Sequence, residues 1–384
     1  MTDPLPLVST IREKCRVCYT CVRECPAKAI RISGGQAEVI AERCIGCGNC
    51  VKVCTQKAKQ VRSSAAEVRG LLESGATVAA CLAPSFPAEF IDLDPRQVVG
   101  MLRRLGFELV TEVAFGADLV ARRYLELLEQ DQDRRYIAAN CPAIVEFICR
   151  YHPDLCGSIA PVVSPMIAMA RALRALHGPD LRVVFIGPCI AKKKEAAEHP
   201  ELLDAALTFE DLRIFFEEDG IDLSKIDGSL EAFIPKRAQE GSLYPVDGGM
   251  IAGIKADCAV YDHQAMHFSG MDEICSVLDS AALQSSDGPL FLELLACAGG
   301  CVNGPRTRID AGTLAKRRAV LGNAQVPLEE IPRAPSMEIS ERFHPARTRR
   351  PTFSDEAIAQ VLRRTGKHAE KDELNCGGCG YGKC

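Results

Sequence analysis

Two runs of closely spaced cysteines near the N-terminus have the residue type and the spacing needed to hold inorganic clusters. The first run is Cys-x2-Cys-x2-Cys-x3-Cys-Pro from Cys15 to Pro26, and the same cysteine spacing recurs from Cys44 to Cys54. Thiolates are the soft ligands of iron–sulfur clusters, and at this spacing the fourth cysteine of each run binds the other cluster. We therefore predict two 4Fe–4S clusters, one on Cys15, Cys18, Cys21 and Cys54, and one on Cys25, Cys44, Cys47 and Cys50.

Zinc knuckles and disulfides are the alternatives for so many thiols. Neither explains the repeated spacing with Pro26 after the fourth cysteine of the first run. Thr55 stands where the second run would have its proline, and this difference removes no ligand. The spacing thus predicts a small α+β ferredoxin-type domain over residues 1–62, with a hairpin at 31–40 between its halves.

A second group of cysteines lies much further along the chain, at the ends of predicted strands. Cys141, Cys189 and Cys297 follow apolar strands predicted at 134–139, 181–186 and 290–296. Ligands of parallel sheets gather beyond the carboxyl ends of the strands. With Cys301, these thiols could close around a further 4Fe–4S cluster, whereas a single cysteine after a strand is more often a small buried hydrophobe.

The elements that must position these thiols alternate between strand and helix from residue 77 onward. Strands are predicted at 77–83 and 107–114, helices at 94–105 and 117–129, and Thr208 begins a further helix through a capping box. Such alternation predicts an α/β fold in which helices cover parallel sheets on both faces.

The order of the motifs resembles that of the iron-only, or FeFe, hydrogenases over roughly residues 1–310. The family signatures Thr-Ser-Cys-Cys-Pro, Met-Pro-Cys-x2-Lys-x2-Glu and Glu-x-Met-Ala-Cys-x3-Cys are matched in part around Cys141, Cys189 and Cys297. The resemblance implies a two-lobed hydrogenase-type domain over 76–324. It also implies an H-cluster, which is a 4Fe–4S cube joined to a two-iron unit carrying CO, cyanide and an azadithiolate bridge.

Carried over residue by residue, the resemblance implies a role for each signature position. Cys141, Cys189 and Cys297 would ligate the cube, and Cys301 would bridge it to the two-iron unit. Lys192 would hydrogen-bond a cyanide, with Glu195 pairing to that lysine. The other positions implied to contact the cofactor are Ala83, Pro84, Ser85, Gly187, Pro188 and Leu295.

Four positions depart from the family pattern. Asn140 replaces the cysteine that relays protons in catalytic members, and its amide has no titratable proton. Gly187 and Leu295 replace methionines, which predicts a wetter pocket, and Ile144 replaces a tryptophan. This pattern resembles the divergent members associated with hydrogen sensing.

The C-terminal end contains a third cysteine motif. A Pro- and Arg-rich linker is predicted over 325–353, a helix over 354–365, and then the thiols Cys376, Cys379 and Cys384. These thiols resemble the start of a 4Fe–4S domain over 354–384. Either this domain is truncated before its fourth cysteine, which is the simpler interpretation, or a fourth ligand comes from elsewhere. The resemblance places signalling domains downstream in sensory relatives.

The remaining predictions concern partners and location. The net charge of -5 argues against nucleic acid binding, and neither a signal peptide nor a transmembrane stretch is recognised, so a cytoplasmic protein of an anaerobe is expected. The resemblance implies H2 and protons as substrates; the redox partner is unknown and a homodimer is left open. The alternative function is a non-catalytic iron–sulfur protein, for electron transfer or cluster assembly, that keeps the cube without the two-iron unit.

Overall fold

The computed structural model describes most of the chain, including every cysteine of the N-terminal runs and of the second group. The described residues are 6–131, 133–222, 225–228, 231–235, 238–255, 265–280, 283, 288–324, 337–348, 352–378 and 381. The predicted ligands Cys379 and Cys384 lie outside these ranges, as do residues 325–336 and 349–351 of the predicted linker.

The N-terminal unit contains two pairs of short antiparallel strands and two one-turn helices. The paired strands are β1 (Val8–Thr10) with β4 (Lys59–Val61), and β2 (Ile30–Ser33) with β3 (Gln36–Val39). Gly34 and Gly35 both have positive φ between β2 and β3, as expected of a tight hairpin turn. The helices are α1 (Thr20–Arg23) and α2 (Asn49–Lys52). The predicted ferredoxin-like unit with a central hairpin is therefore confirmed.

The first lobe of the main domain contains a four-stranded parallel sheet. Its strands are β5 (Val78–Leu82), β6 (Leu109–Glu112), β8 (Arg182–Gly187) and β9 (Ala205–Thr208). They lie in the order β6-β5-β8-β9, and every residue of the inner strand β5 is buried. An unbroken apolar strand of this kind is typical of a parallel sheet covered on both faces.

The second lobe contains a separate three-stranded parallel sheet. Its strands are β7 (Arg135–Ile137), β10 (Ala265–Ser269) and β11 (Leu290–Leu295), in the order β10-β11-β7. Cys141 and Cys297 therefore follow strands of this sheet, whereas Cys189 follows β8 of the other lobe. The predicted α/β fold with two lobes is confirmed, and the second cysteine group lies where the lobes meet.

Helices connect and cover the two sheets. The earlier ones, in chain order, are α3 (Ala65–Glu73), α4 (Phe86–Glu89), α5 (Pro95–Arg104), α6 (Val113–Gln130), α7 (Pro142–Tyr151), α8 (Pro165–His177), α9 (Ala191–Glu198) and α10 (Phe209–Glu218). The later ones are α11 (Gly249–Lys255), α12 (Met271–Leu278), α13 (Thr313–Asn323) and α14 (Asp355–Arg364). The predicted capping box at the start of α10 is present, because Thr208 accepts from the amide of Asp211 and the carboxylate of Asp211 accepts from the amide of Thr208.

Helix α6 begins four residues earlier than the sequence predicts. The expected strand 107–114 ends at Glu112, and Val113 already belongs to the helix. A Cβ added to Gly116 would lie 2.2 Å from the carbonyl oxygen of Pro165, so α6 and α8 are in backbone contact there. This close packing of small residues overrides the β-propensity of Val113 and Phe115.

The described part of the predicted linker lies against the main domain. The amide of Val163 donates to the carbonyl of Ile339 at 2.9 Å, and Ser340 forms an isolated bridge with Val162. Among the helices in the described part of the chain, none is both long and apolar enough to cross a membrane.

Candidate metal centres

Each predicted set of N-terminal thiols lines its own cavity. The outer cavity is bordered by Cys15, Cys18, Cys21 and Cys54, and the inner cavity by Cys25, Cys44, Cys47 and Cys50. The structure therefore groups the eight thiols in the interleaved manner that the spacing predicts. Helices α1 and α2 pack against each other, which brings the last cysteine of each run to the other half of the repeat.

Backbone amides in the N-terminal unit donate to cysteine sulfur. The amide of Ala29 donates to Sγ of Cys25, and the amide of Ala58 donates to Sγ of Cys54, both at 3.3 Å. The two pairs occupy equivalent places in the repeat, four residues after each fourth cysteine. Hydrogen bonds to ligand sulfur stabilise the thiolate and tune the potential of a bound cluster.

The eight thiols differ in their exposure to water, and each cavity contains one buried thiol, Cys21 in the outer and Cys25 in the inner cavity. Burial raises the pKa of Cys47 to about 12 and also raises the pKa of Cys25. Cys18 is exposed, and hydrogen bonding with Thr20 lowers its pKa. A buried thiol of raised pKa is protonated at neutral pH, so loading of the inner cavity with a cluster must release protons.

The inner cavity lies against the main domain. A Cβ added to Gly48 would lie 2.5 Å from Cγ of Pro305 and 2.8 Å from Cδ1 of Ile190. The charge of Cys141 contributes to the raised pKa of Cys47, which places the thiol of Cys47 near the second cysteine group. The inner cavity is thus the one from which electrons could reach that group directly.

The four cysteines of the second group converge from both lobes. Burial raises the pKa of Cys189 to about 11, and the nearby charge of Cys141 adds to this effect. Burial likewise raises the pKa of Cys301, with further contributions from Cys141 and Cys189. The pKa of Cys297 is raised by burial and then by the charges of Cys301, Cys189 and Cys141. Four mutually interacting, half-buried thiols are the donor set that a cubic cluster requires.

Lys192 lies in the first turn of α9, three residues after Cys189. Its ammonium donates to Oε2 of Glu195 at 2.7 Å and to Oγ of Ser164 at 2.9 Å. The predicted contact between Lys192 and Glu195 is therefore present. Ser164 was not predicted, although its position before Pro165 at the start of a helix is a recognisable N-cap signal.

Two buried polar atoms near this group have no hydrogen-bond partner. They are Oδ1 of Asn140, beside Cys141, and Oγ of Ser85, after β5. A buried polar atom without a partner costs about 1–3 kcal/mol, so such atoms usually meet a ligand, an ion or water. Together with the ammonium of Lys192, these atoms fit a bulky anionic group that could be held by the four thiols.

Neighbouring side chains occupy the space at Gly187, one of the two positions where the family has methionine. A Cβ on Gly187 would lie 2.6 Å from Cζ of Phe185 and 2.8 Å from Cβ of Ala83. Leu295 is buried, and so is Ile144 in place of the family tryptophan. The expected wetter pocket is therefore not found at Gly187, because the aromatic ring of Phe185 fills the space beside it. Pro188 packs against Gly304, and its carbonyl accepts from the amide of Arg306 at 3.1 Å.

Glu293, a residue of the third signature to which the sequence analysis assigns no role, forms a buried acidic site behind the thiols. Glu293 is fully buried in β11 and accepts from the amides of Gly248 and Ile251, each at 3.2 Å. Burial raises its pKa to about 7. Tyr124 and Tyr244 are buried nearby; burial raises the pKa of both hydroxyls, and the charge of Glu293 adds to this effect. The sequence signal for this buried acidic site is the single glutamate within the otherwise apolar run 290–296.

The C-terminal cysteine motif is described only at its beginning. Cys376 is exposed, and the nearby Tyr381 lies under the ammonium of Lys28, which is 5.3 Å from the ring centroid. This end of the chain therefore lies beside the N-terminal unit.

Comparison with known families finds a match for each part of the chain. The family described as "Iron only hydrogenase large subunit, C-terminal domain" matches residues 76–305. The family described as "4Fe-4S dicluster domain" matches residues 7–55.

Individual relatives and solved structures agree with these family matches. The periplasmic Fe hydrogenase large subunit of Nitratidesulfovibrio vulgaris is 28% identical over 377 residues, covering 81% of this chain and 89% of the relative. Iron hydrogenase 1 of Clostridium pasteurianum is 23% identical and covers 53% of this chain and 44% of the relative. A solved variant of the FeFe-hydrogenase HydA1 from Chlamydomonas reinhardtii superposes with a TM-score of 0.51 at 19% identity, covering 66% of this chain and 88% of that one. This last similarity concerns the fold.

Proposed function

The chain belongs to the iron-only hydrogenase family, and on that premise we propose that it interconverts H2 with protons and electrons at an H-cluster. The turnover we propose is slow and serves hydrogen sensing, and the two N-terminal clusters relay the electrons. The observation that carries this proposal is the convergence of four half-buried thiols from two lobes beside the paired ammonium of Lys192.

The residues present would hold the H-cluster in separate roles. Cys141, Cys189 and Cys297 would bind the cube, and Cys301 would bridge to the two-iron unit. When bound, the two-iron unit supplies the Lewis-acid metal at which H2 is split heterolytically. The protein contributes orientation, hydrogen bonds and exclusion of water around that metal.

Lys192 provides the main positive charge at the proposed site. Because Glu195 and Ser164 both accept from its ammonium, the lysine is fixed in one orientation and keeps one donor proton for a ligand. An anionic cyanide is a suitable acceptor for a charge-assisted hydrogen bond. Ser85 and Asn140 add polar atoms that have no hydrogen-bond partner among the residues that the structure describes.

Asn140 is the reason for proposing slow turnover. Its amide accepts and donates hydrogen bonds, but it does not exchange a proton as a thiol does. The asparagine could therefore position a proton-carrying group without relaying the proton itself. A sensor depends on occupancy of a hydrogen-bound state, and slow proton transfer is compatible with that role.

Electrons would pass from the H-cluster to the 4Fe–4S cluster of the inner cavity and then to the 4Fe–4S cluster of the outer cavity. The contact between Gly48 and the loop after Cys189 supports the first step. The exposed Cys18 supports the outer cavity as the point of exit. A cytoplasmic location stays a prediction, since one relative is named as periplasmic.

Infrared spectroscopy of the protein after maturation with the two-iron unit tests this proposal. We expect CO and cyanide stretching bands together with iron and sulfide for about three cubes. A protein that holds its cubes and shows no such bands would instead be the non-catalytic iron–sulfur protein that the sequence left as the alternative. A preparation that holds only one cube would contradict both functions.

A further inference from the structure

Two cysteines that belong to none of the proposed ligand sets lie in contact at the end of α7. Sγ of Cys149 lies 2.9 Å from Sγ of Cys156, and the two residues expose only 6% and 4% of their surface. Cys149 lies in the last turn of α7, and Cys156 lies in the 3-10 turn Pro153–Ser158 that follows. Neither residue lines either of the N-terminal cavities.

The two sulfur atoms are closer than apolar packing alone explains. A single buried cysteine is ordinarily a small hydrophobe, and nonbonded carbon atoms pack at about 3.5–4.0 Å. A disulfide bond joins its sulfur atoms at about 2.05 Å. At 2.9 Å, Sγ of Cys149 and Sγ of Cys156 therefore need to approach by only about 1 Å in order to bond.

The pair lies on the helix that connects the two metal centres. Cys141 of the second cysteine group is the N-cap of α7. At the other end of α7, the hydroxyl of Tyr151 lies 2.9 Å from the carbonyl oxygen of Ala27 and 2.8 Å from that of Arg43, in the loops that contain the inner-cavity thiols. A bond between the two sulfur atoms would thus fix the end of this helix without removing a ligand from either centre.

The surroundings of Cys149 favour the thiol over the thiolate. Burial raises the pKa of Cys149, and the hydrogen bond and charge of Cys156 add to this effect. The charge of Glu146 acts in the same direction, and the ammonium of Lys194 opposes it. Because the thiolate is the reactive form, the pair should react slowly with bulk reagents, and its selectivity must come from the proximity of the two sulfur atoms.

We infer that Cys149 and Cys156 form a reversible dithiol–disulfide pair that small organic disulfides of the glutathione type close. One thiolate of the pair attacks the small disulfide and releases the first glutathione thiolate, and the second thiolate then displaces the other. The two protein thiols lose two electrons in total, and the small disulfide gains them and becomes two thiols, which take up the two protons. In a compartment that keeps thiols reduced, pairs of this kind are typically transient and redox-sensing. The inference goes beyond hydrogen chemistry and does not depend on it.

Peptide mapping in glutathione buffers tests the pair. The cluster-loaded full chain is brought to equilibrium without oxygen at increasing ratios of glutathione disulfide to about 1 mM glutathione, and its free thiols are then alkylated in denaturant. Trypsin cleaves after Arg150, so a bond between Cys149 and Cys156 joins the peptides 136–150 and 151–171. Sulfur atoms held in contact act at an effective concentration on the order of 10 mM, so the joined peptides should appear at a ratio about tenfold lower than the ratio that modifies lone thiols. Dithiothreitol should separate them again.

Two lone thiols of the same chain serve as internal controls. Cys81 is fully buried beside Thr111, and Cys275 is half-buried in α12. Both should stay reduced at the ratio that closes the pair, because neither has a cysteine in contact to complete the exchange.

Variants assign the bond to the two residues. Cys149→Ala and Cys156→Ala should each abolish the joined peptides. Their persistence in Cys149→Ala would assign the bond to Cys141, which lies in the same peptide, and would overturn the inference. Where a variant fails to fold, the wild-type chain decides. A pair that stays reduced at the most oxidising ratio, or that closes only when Cys81 and Cys275 are also modified, would refute it.

Discussion

The ammonium of Lys192 lies 2.7 Å from Oε2 of Glu195, and the two side chains expose only 11% and 13% of their surface. They are three residues apart in α9, so the helix itself holds them together. An ion pair shielded from water in this way is costly to break, because the remaining charge is left uncompensated.

The substitution Lys192→Met should therefore lower both stability and cofactor retention. Leaving Glu195 unpaired should cost about 3–5 kcal/mol in the free energy of unfolding. Infrared bands of CO and cyanide should weaken after maturation, since the charged donor to cyanide is gone. Lys194→Met is the control on the same helix, because Lys194 pairs with Glu146 and Glu198. Wild-type bands in Lys192→Met would show that the lysine does not hold the ligand.

The substitution Cys301→Ala should prevent the protein from holding the two-iron unit. Cys301 is the thiol that the family pattern assigns to the bridge, and it starts a short 3-10 turn just after Gly300. We expect loss of the CO and cyanide bands while the paramagnetic signals of the N-terminal clusters persist. Cys275→Ala, a half-buried thiol outside the three motifs, should change neither readout. Retention of the bands in Cys301→Ala would mean that another group forms the bridge.

The cysteine positions were largely predictable because their spacing is itself the signal. The grouping of Cys54 with the first run, and of Cys25 with the second, follows from the pattern, and the structure places these thiols in the corresponding cavities. The positions of Lys192 and Glu195 were predictable for the same reason, since both belong to one short signature.

Contacts between distant segments were not predictable from the sequence. Gly116 of α6 contacts the backbone of Pro165, which lies 49 positions further along the chain. The space beside Gly187 is closed by Ala83, which follows β5, as well as by Phe185 on the same face of β8. Ser164 reaches Lys192 from another helix, and local propensity contains no information about such a pairing.

Glu293 provides a prediction about pH. Burial raises its pKa to about 7 from the ordinary 4.5, so the native state binds this proton more tightly than the unfolded state does. Its contribution to stability is therefore full below pH 4.5 and is lost as the pH rises through about 7. The thermal midpoint of the loaded protein should fall as the pH rises from 4.5 to about 7, and less so in Glu293→Gln.

Difference infrared spectroscopy measures the same proton directly. The carbonyl stretch of a protonated carboxyl should disappear in wild type with an apparent pKa of about 7. The same titrating band should be missing from Glu293→Gln, in which the side chain keeps its shape and its one amide oxygen can accept from either Gly248 or Ile251 but not from both. An identical titration in both proteins would assign the proton to another buried group.

Asn140→Cys should raise the rate of hydrogen turnover. A missing general acid typically costs roughly 10²- to 10⁴-fold in rate, which corresponds to about 3–5 kcal/mol. The added thiol would stand beside Cys141, where Oδ1 of the native asparagine is buried and has no partner. The measurement is hydrogen evolution by fully matured wild type and variant under the same reductant. Asn140→Ala is the control, because it removes the amide without adding a proton carrier and should not speed turnover.

The result for Asn140 also decides whether water can replace the missing thiol. Water would need space and polar partners near the two-iron unit, and the position of Gly187 offers little space because Phe185 and Ala83 close it. A closed pocket predicts that wild type is slow at every pH and that Asn140→Cys recovers much of the lost rate. If wild type already turns over as fast as catalytic relatives, a proton path independent of residue 140 exists. The same conclusion follows if the added thiol changes nothing while infrared bands show an intact cofactor, and slow proton transfer would then no longer support a sensory role.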